Sequence, residues 1–408
     1  MNYFTIGFRN LLKNRRRSLA TLISVGFGFA SISLFAGYIH NVYAGLARQA
    51  IQGELLGHLT VMKSGLRTEG RLHPARYMFT KEDLARAVPI LQQYPHTVLV
   101  TPRMSLSGIV SNGTASTIFV GEGLVPEDVK KLQGDFQRKL AGDLKADNPI
   151  GVATAEDLGK ILDLKPGDSA SLLVSTVTGQ ANALDVDIVD SFNTGNAGTN
   201  DKFVYLPFDL AKSLYDFDGA ERLIVLLNDK ELTEQARTDL TARLKQAGFD
   251  VEIKTWLELS SFYSQVKRMF DMIFAFIFSN VFIVVIMSIV NSMTMTVVER
   301  TREIGTLRSM GLRGSGILRL FTTEAFVLVV IGCTAGVLFT LLVRLVINSA
   351  GITYTPPNSS NVVKLMVDLD VPRMVRAFLM LSVLGVTAAF FPARKASRKP
   401  IIDTLGHV

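Results

Sequence analysis

Charged residues set against apolar sequence are where this 408-residue chain could do chemistry. Glu299, Arg302, Glu303 and Arg308 fall in ERTREIGTLRSMGLRGSGILRLFTTEAF, residues 299–326, between two long apolar runs. Ile304, Leu307, Gly311 and Leu312 recur there at roughly helical spacing. One side of the predicted helix is therefore apolar and small, while Arg302, Arg308 and Arg313 face elsewhere with Glu303 among them. A short basic amphipathic helix between membrane spans should lie along the cytoplasmic surface. From composition alone it can equally be an ordinary positive loop that only fixes topology. Glu324 opens the next apolar run, and a carboxylate there is costly enough to be a functional candidate. It serves either as a structural contact at the membrane boundary or in a proton or substrate role.

Motifs for bond-making chemistry are missing from the sequence. No GxxxxGK[ST] loop is present to cradle ATP phosphates, and the five histidines (His40, His58, His73, His96, His407) form no HExxH. No G-x-S-x-G elbow occurs either. The single cysteine, Cys333, lies in an apolar run, so no intrachain disulfide is available. A non-catalytic chain without a metal site or cofactor of its own is expected.

The elements that must position these residues are largely membrane helices. Hydrophobic residues make up 48% of the chain, charged residues 19%, and the mean hydropathy is +0.30. Together these point to an integral membrane protein with a sizeable soluble part. Uncharged runs cover Leu19–Ala47, Met272–Val298, Ala325–Val343 and Ala377–Ala393, each long enough to cross a bilayer. The formal charge is +7, but residues 1–18, 299–320 and 392–408 hold fourteen Lys/Arg against three Asp/Glu. Basicity thus flanks the membrane, and a nucleic-acid partner finds no support. The positive-inside rule places both termini and the 299–320 loop in the cytoplasm, which four spans satisfy. Gly26 and Gly28, and the pair Gly332 and Gly336, are expected to pack helices closely. Asn280, Ser288 and Asn291 are expected to hydrogen-bond between helices.

Residues 48–267 read as ordinary soluble protein. Strands are expected at 59–62, 98–100, 118–120, 171–175 and 222–227, with helices at 81–94 and 233–247. Thr80 and Asp83 have the spacing of a capping box. IGVATAEDLGKILDLKPGD, residues 150–168, reads as strand, short helix and tight turn; FVYLPFDLAKSL, residues 203–214, continues it. Such alternation indicates a mixed α/β domain. The polar stretch SFNTGNAGTNDK, residues 191–202, is expected to be a mobile loop.

Three segments then share one resemblance. The order Glu-Arg-x-Arg-Glu-Ile-Gly-x-Leu-Arg-x-x-Gly resembles the coupling helix of the FtsX/MacB/LolC-type ABC transporter permeases. The 150–168 segment is similar to their extracytoplasmic domains, and Pro392-Ala393-Arg394-Lys395-Ala396 with Pro400 to Leu405 is similar to their tail.

The resemblance implies an α-helical membrane protein with four transmembrane helices and a large mixed α/β extracytoplasmic domain between helices 1 and 2. It implies a basic segment 1–18, a first span and stalk 19–47, an outer domain 48–267 and a second span 268–298. The coupling helix 299–320 follows, then a third span 321–347, an outer loop 348–373, a fourth span 374–393 and a cytoplasmic tail 394–408. Within the outer domain, a porter-like part takes about 48–100 and 220–256, and a strand-rich insert about 101–219.

By the same resemblance, Glu299, Arg302, Glu303, Gly305, Leu307, Arg308 and Gly311 meet a separate ATPase, with Gly305 and Gly311 permitting close approach. ATP and Mg would belong to that partner; MacB, by contrast, carries a fused ATPase. The chain would sit in a bacterial inner membrane as a homodimer or with a paralogous permease, against membrane lipid. Extraction of lipoprotein or other amphipathic cargo is the leading implication. MacB-like efflux through a periplasmic adaptor and outer-membrane channel is the second, and FtsX-like control of a peptidoglycan hydrolase the third.

Overall fold

The computed structural model describes residues 9, 15–70, 72–134, 144, 147–195, 198–355 and 362–398. In chain order it begins with α1 (Arg15–Arg48), β1 (Leu59–Lys63), α2 (Lys81–Gln92), β2 (Thr97–Ser111) and β3 (Ser116–Leu124). Then come β4 (Gly151–Ala155), α3 (Glu156–Ile161), β5 (Ser169–Ser175), β6 (Ala181–Phe192), β7 (Phe203–Pro207) and α4 (Phe208–Tyr215). After β8 (Arg222–Leu227), α5 (Thr233–Gln246) and β9 (Val251–Thr255) come α6 (Ser261–Glu299), α7 (Thr301–Ser309), α8 (Gly314–Ala350) and α9 (Val371–Arg398). They form two compact units, Met1–Tyr43 with Val266–Thr353 and Lys364–Val408, and Ala44–Gln265 with Tyr354–Val363.

The helical unit is built on α1, α6, α8 and α9, each long and apolar enough to cross a membrane. All four helices are longer than the uncharged runs, because polar residues extend them at their ends. α6 starts at Ser261 rather than 268, and α8 covers 314–350 rather than 321–347. Val25, Phe29, Ile32, Val285, Ile289, Leu328, Val329, Leu381 and Ala389 form their shared core. α1 and α8 meet through glycine: a Cβ on Gly336 would lie 2.6 Å from the Gly26 carbonyl oxygen. One on Gly26 would lie 2.9 Å from the Gly332 carbonyl oxygen, so the backbones approach as only hydrogen side chains allow. Asn280 does not bridge helices. Its amide donates to the Phe276 carbonyl of its own helix at 2.8 Å, and Asn291 is exposed.

In the α/β unit, an antiparallel sheet runs β9-β1-β8-β2. α2 and α5 contribute Ala87, Leu91, Ala236 and Leu240 to a core with Leu59, Val61, Leu223 and Val225. Thr80 caps α2, its hydroxyl accepting from the Asp83 N–H while the Asp83 carboxylate accepts from the Thr80 N–H. β2 is fifteen residues long and serves two sheets. Through Arg103 it pairs with β8; from Met104 onward it pairs with β3 and, at 108–111, with β5.

The pairings β2-β3-β7-β4-β6-β5 return to β2, so the insert is a closed six-stranded barrel. Gly108 sits at the closure, where a Cβ would lie 2.1 Å from the Leu173 carbonyl oxygen. Trp256 is buried edge-on to Tyr263 at 5.0 Å. The described part of 191–202 is tied down rather than loose. Buried Asn200 donates to Asp157 at 2.7 Å, accepts from the Thr194 N–H at 3.0 Å, and its carbonyl accepts from the Leu158 N–H.

Candidate functional site

The amphipathic helix is shorter than the expected 299–320. α7 has nine residues, Thr301–Ser309, and the chain then turns. Gly311 sets the stop: its φ of +94° lies in the left-handed region that favours glycine. Residues 314–320 are already the first turns of α8, so Glu324 lies ten residues inside that helix rather than at its start.

Ile304 anchors α7. It is buried in a cluster with Val297 of α6, Ile317 and Phe321 of α8, and Ala393 and Ala396 of α9, with Leu307 packed against it. Gly305 is buried beside Ile304, and Thr301 donates its hydroxyl to the Val297 carbonyl at 2.9 Å. Of the apolar stripe foreseen in the sequence, Ile304, Leu307 and Leu312 face inward, while Gly311 is exposed. A Cβ on Gly311 would meet nothing within 4 Å among the described residues, so within this chain its part is the turn.

Several charges of this segment have partners within the chain. Glu299 ends α6 and forms a two-pronged pair with Arg17 of α1, at 2.8 and 2.7 Å. Such fork-to-carboxylate geometry fixes both side chains. Glu303 accepts from Nε of Arg300 at 2.7 Å. Arg300 also reaches, through Nη1, the Glu324 carboxylate at 3.4 Å. Arg302 is exposed and Arg308 half-buried. The structure thus brings Glu303 and Glu324 to one guanidinium. Exposed Arg302 forms no side-chain ion pair among the described residues. Arg17 and Arg300 were not singled out from sequence. Arg300 precedes Glu303 by one helical turn, a usable signal, whereas nothing in the sequence links Arg17 to a residue 282 positions away. Residues 400–405 of the tail motif lie outside the described residues.

Comparison with known proteins places both units. Residues 18–243 match the MacB-like periplasmic core domain, and residues 273–401 match the FtsX-like permease C-terminal region. The chain belongs to the FtsX/MacB/LolC-type ABC transporter permeases.

Among the relatives of this permease is the lipoprotein-releasing system transmembrane protein LolC of Xylella fastidiosa, 21% identical over 96% of each chain. The macrolide export ATP-binding/permease protein MacB of Chromobacterium violaceum is 26% identical over 59% of this chain and 36% of its own. A crystal structure of the periplasmic region of MacB from Actinobacillus actinomycetemcomitans matches 55% of this chain and 95% of its own, at 17% identity and TM-score 0.36. Four apolar helices and a mixed α/β domain of this family make the chain an ABC transporter permease of the membrane.

Proposed function

We propose that this permease transmits the work of a separate ATPase to cargo handled on the outer side of the inner membrane. α7 is the docking element, and its seat carries the reading. Ile304 fixes the helix on α6, α8 and α9, while Arg302 remains exposed for a partner. ATP and Mg are held by that partner, and its two copies come together on binding nucleotide. The permease follows only insofar as nucleotide favours one arrangement over the other. Two copies, or this chain and a paralogue, pair through α1 and α6. The long helices carry the motion outward, with the α/β domain in the periplasm and both termini in the cytoplasm. The basic flanks at 15–17 and 394–398 support that orientation.

The cargo proposed is a lipoprotein or another amphipathic molecule lifted from the outer leaflet. Similarity to LolC over 96% of both chains supports this choice. Efflux of small molecules or peptides is the second reading, supported by the macrolide- and pyoverdine-export relatives. Affinity purification of the chain in mild detergent tests the core of the proposal: a P-loop ATPase should be retained, and its absence even with an ATP analogue would refute it. Depletion then separates the cargoes. Lipoprotein should accumulate in the inner membrane under the first reading, drug or peptide sensitivity should rise under the second, and chaining cells with normal lipoprotein sorting would contradict both.

A further inference from the structure

Glu324 is the one carboxylate of α8, with its side chain only 4% exposed. It shares a helix face with Phe321 and Ile317, one and two turns earlier, and those residues receive Ile304 of α7. Arg300 precedes Ile304 by four residues, at the N-cap of α7. The α7–α8 contact therefore has an apolar half, Ile304 on Ile317 and Phe321, and a charged half, Arg300 on Glu324. The same guanidinium holds Glu303 through Nε at 2.7 Å, and that carboxylate is about half exposed.

These two halves differ mechanically. Apolar contact is non-directional, so helices joined by it alone can slide or roll. A guanidinium bridging two carboxylates fixes direction, since its N–H groups lie in a rigid plane. Releasing Glu324 would leave a buried charge without this partner, so the bridge resists opening while α7 moves. Glu303 lies on the solvent side of the bridge, where a docked protein can act on it directly.

We propose that Arg300 is a positioning residue that makes α7 and α8 turn as one body, so that displacement of α7 reaches the membrane helix through Glu324. This inference rests on the reading of α7 as the ATPase-docking element. Arg300 needs no contact with the ATPase or the cargo; it acts through Glu303 and Glu324.

The test uses the full chain with its co-purified ATPase in lipid nanodiscs, in a Cys333→Ala background. Nitroxide labels at Ser309 and Leu345 report α7 against α8, and labels at Leu19 and Leu345 report α1 against α8. Both pairs are read by pulsed electron spin resonance, with and without a non-hydrolysable ATP analogue. In the wild type, the 309–345 distance should stay narrow and unchanged by nucleotide, while the 19–345 distance shifts. In Arg300→Ala, the ATPase should remain bound, the 309–345 distance should broaden and become nucleotide-dependent, and the 19–345 shift should be lost. Glu324→Gln, which keeps the side-chain volume, should reproduce this if Arg300→Ala fails to fold.

Wild-type behaviour of both label pairs in these variants would overturn the inference. So would loss of ATPase binding from folded variants, because Arg300 would then belong to the docking surface. If the wild-type chain retains no ATPase at all, the proposed function itself fails and this inference falls with it.

Discussion

Neutralising Glu122 should destabilise the α/β unit far more than removing the arginine it holds. Arg103 lies where β2 leaves β8 for β3; it is 1% exposed, and burial pushes its guanidinium below the usual arginine range. Its Nη1 donates to Glu122 at 3.2 Å, while Nε and Nη2 are buried without hydrogen-bond partners among the described residues. Glu122 also pairs with Arg222, which pairs in turn with Glu221. In Glu122→Gln, Arg222 keeps Glu221, but Arg103 is left buried with no carboxylate in salt-bridge range among the described residues. Breaking a buried pair in this way costs about 3–5 kcal/mol.

Arg103→Met has the opposite logic. Glu122 keeps Arg222, and the two unpartnered nitrogens vanish with the guanidinium. The loss should be within about 1 kcal/mol, since replacing a buried polar group by an apolar one of similar shape is often neutral. Urea unfolding of the full chain in detergent, followed by fluorescence, reports this unit through the single tryptophan, Trp256, buried against Tyr263. Equal losses in the two variants, or a Glu122→Gln loss below about 1 kcal/mol, would refute the account of Arg103 as a charge held by one carboxylate.

Other perturbations probe other parts of the molecule. Buried His58 accepts the Leu227 N–H at Nδ1, 3.0 Å away, and burial holds its pKa down to about 4. The folded state therefore prefers neutral imidazole: its contribution is complete above the ordinary pKa near 6.5 and is lost as pH falls toward 4. Relative to His58→Gln, the wild type should lose about 3 kcal/mol over that window, measured by the same fluorescence. Gly336→Val should cost about 1–3 kcal/mol of thermal stability in detergent by prising α8 from α1, whereas Gly45→Ala should cost nothing, since a Cβ there meets no described atom within 4 Å. Gly311→Asn should keep ATPase capture because asparagine tolerates its positive φ, while Arg302→Glu should weaken capture at unchanged expression.

The legible parts of this fold were those whose signals are local. Uncharged runs found the four long helices, and Thr80 with Asp83 marked the start of α2 correctly because a capping box is complete within four residues. The segment 203–214 was legible as well, resolving into β7 and nearly all of α4. Barrel closure was not legible. It joins β2 to β5 across some sixty residues, and its one local trace, Gly108, reads as any strand glycine until the Leu173 carbonyl is placed against it.

The charged residues of 299–326 show the same division. Periodicity gave α7 its apolar side, but not which charges the fold itself would use. Arg17 takes Glu299, and Arg300 takes both Glu303 and Glu324. A sequence shows that a charge is present, whereas only the fold shows whether it already has an internal partner. The exposed guanidinium of Arg302 is therefore a better candidate for recognising another protein than Glu299, whose carboxylate already binds both prongs of Arg17. Arg302→Glu and Glu299→Gln should differ accordingly: the first should weaken ATPase capture, and the second should loosen α1 from α6 while the ATPase is still retained.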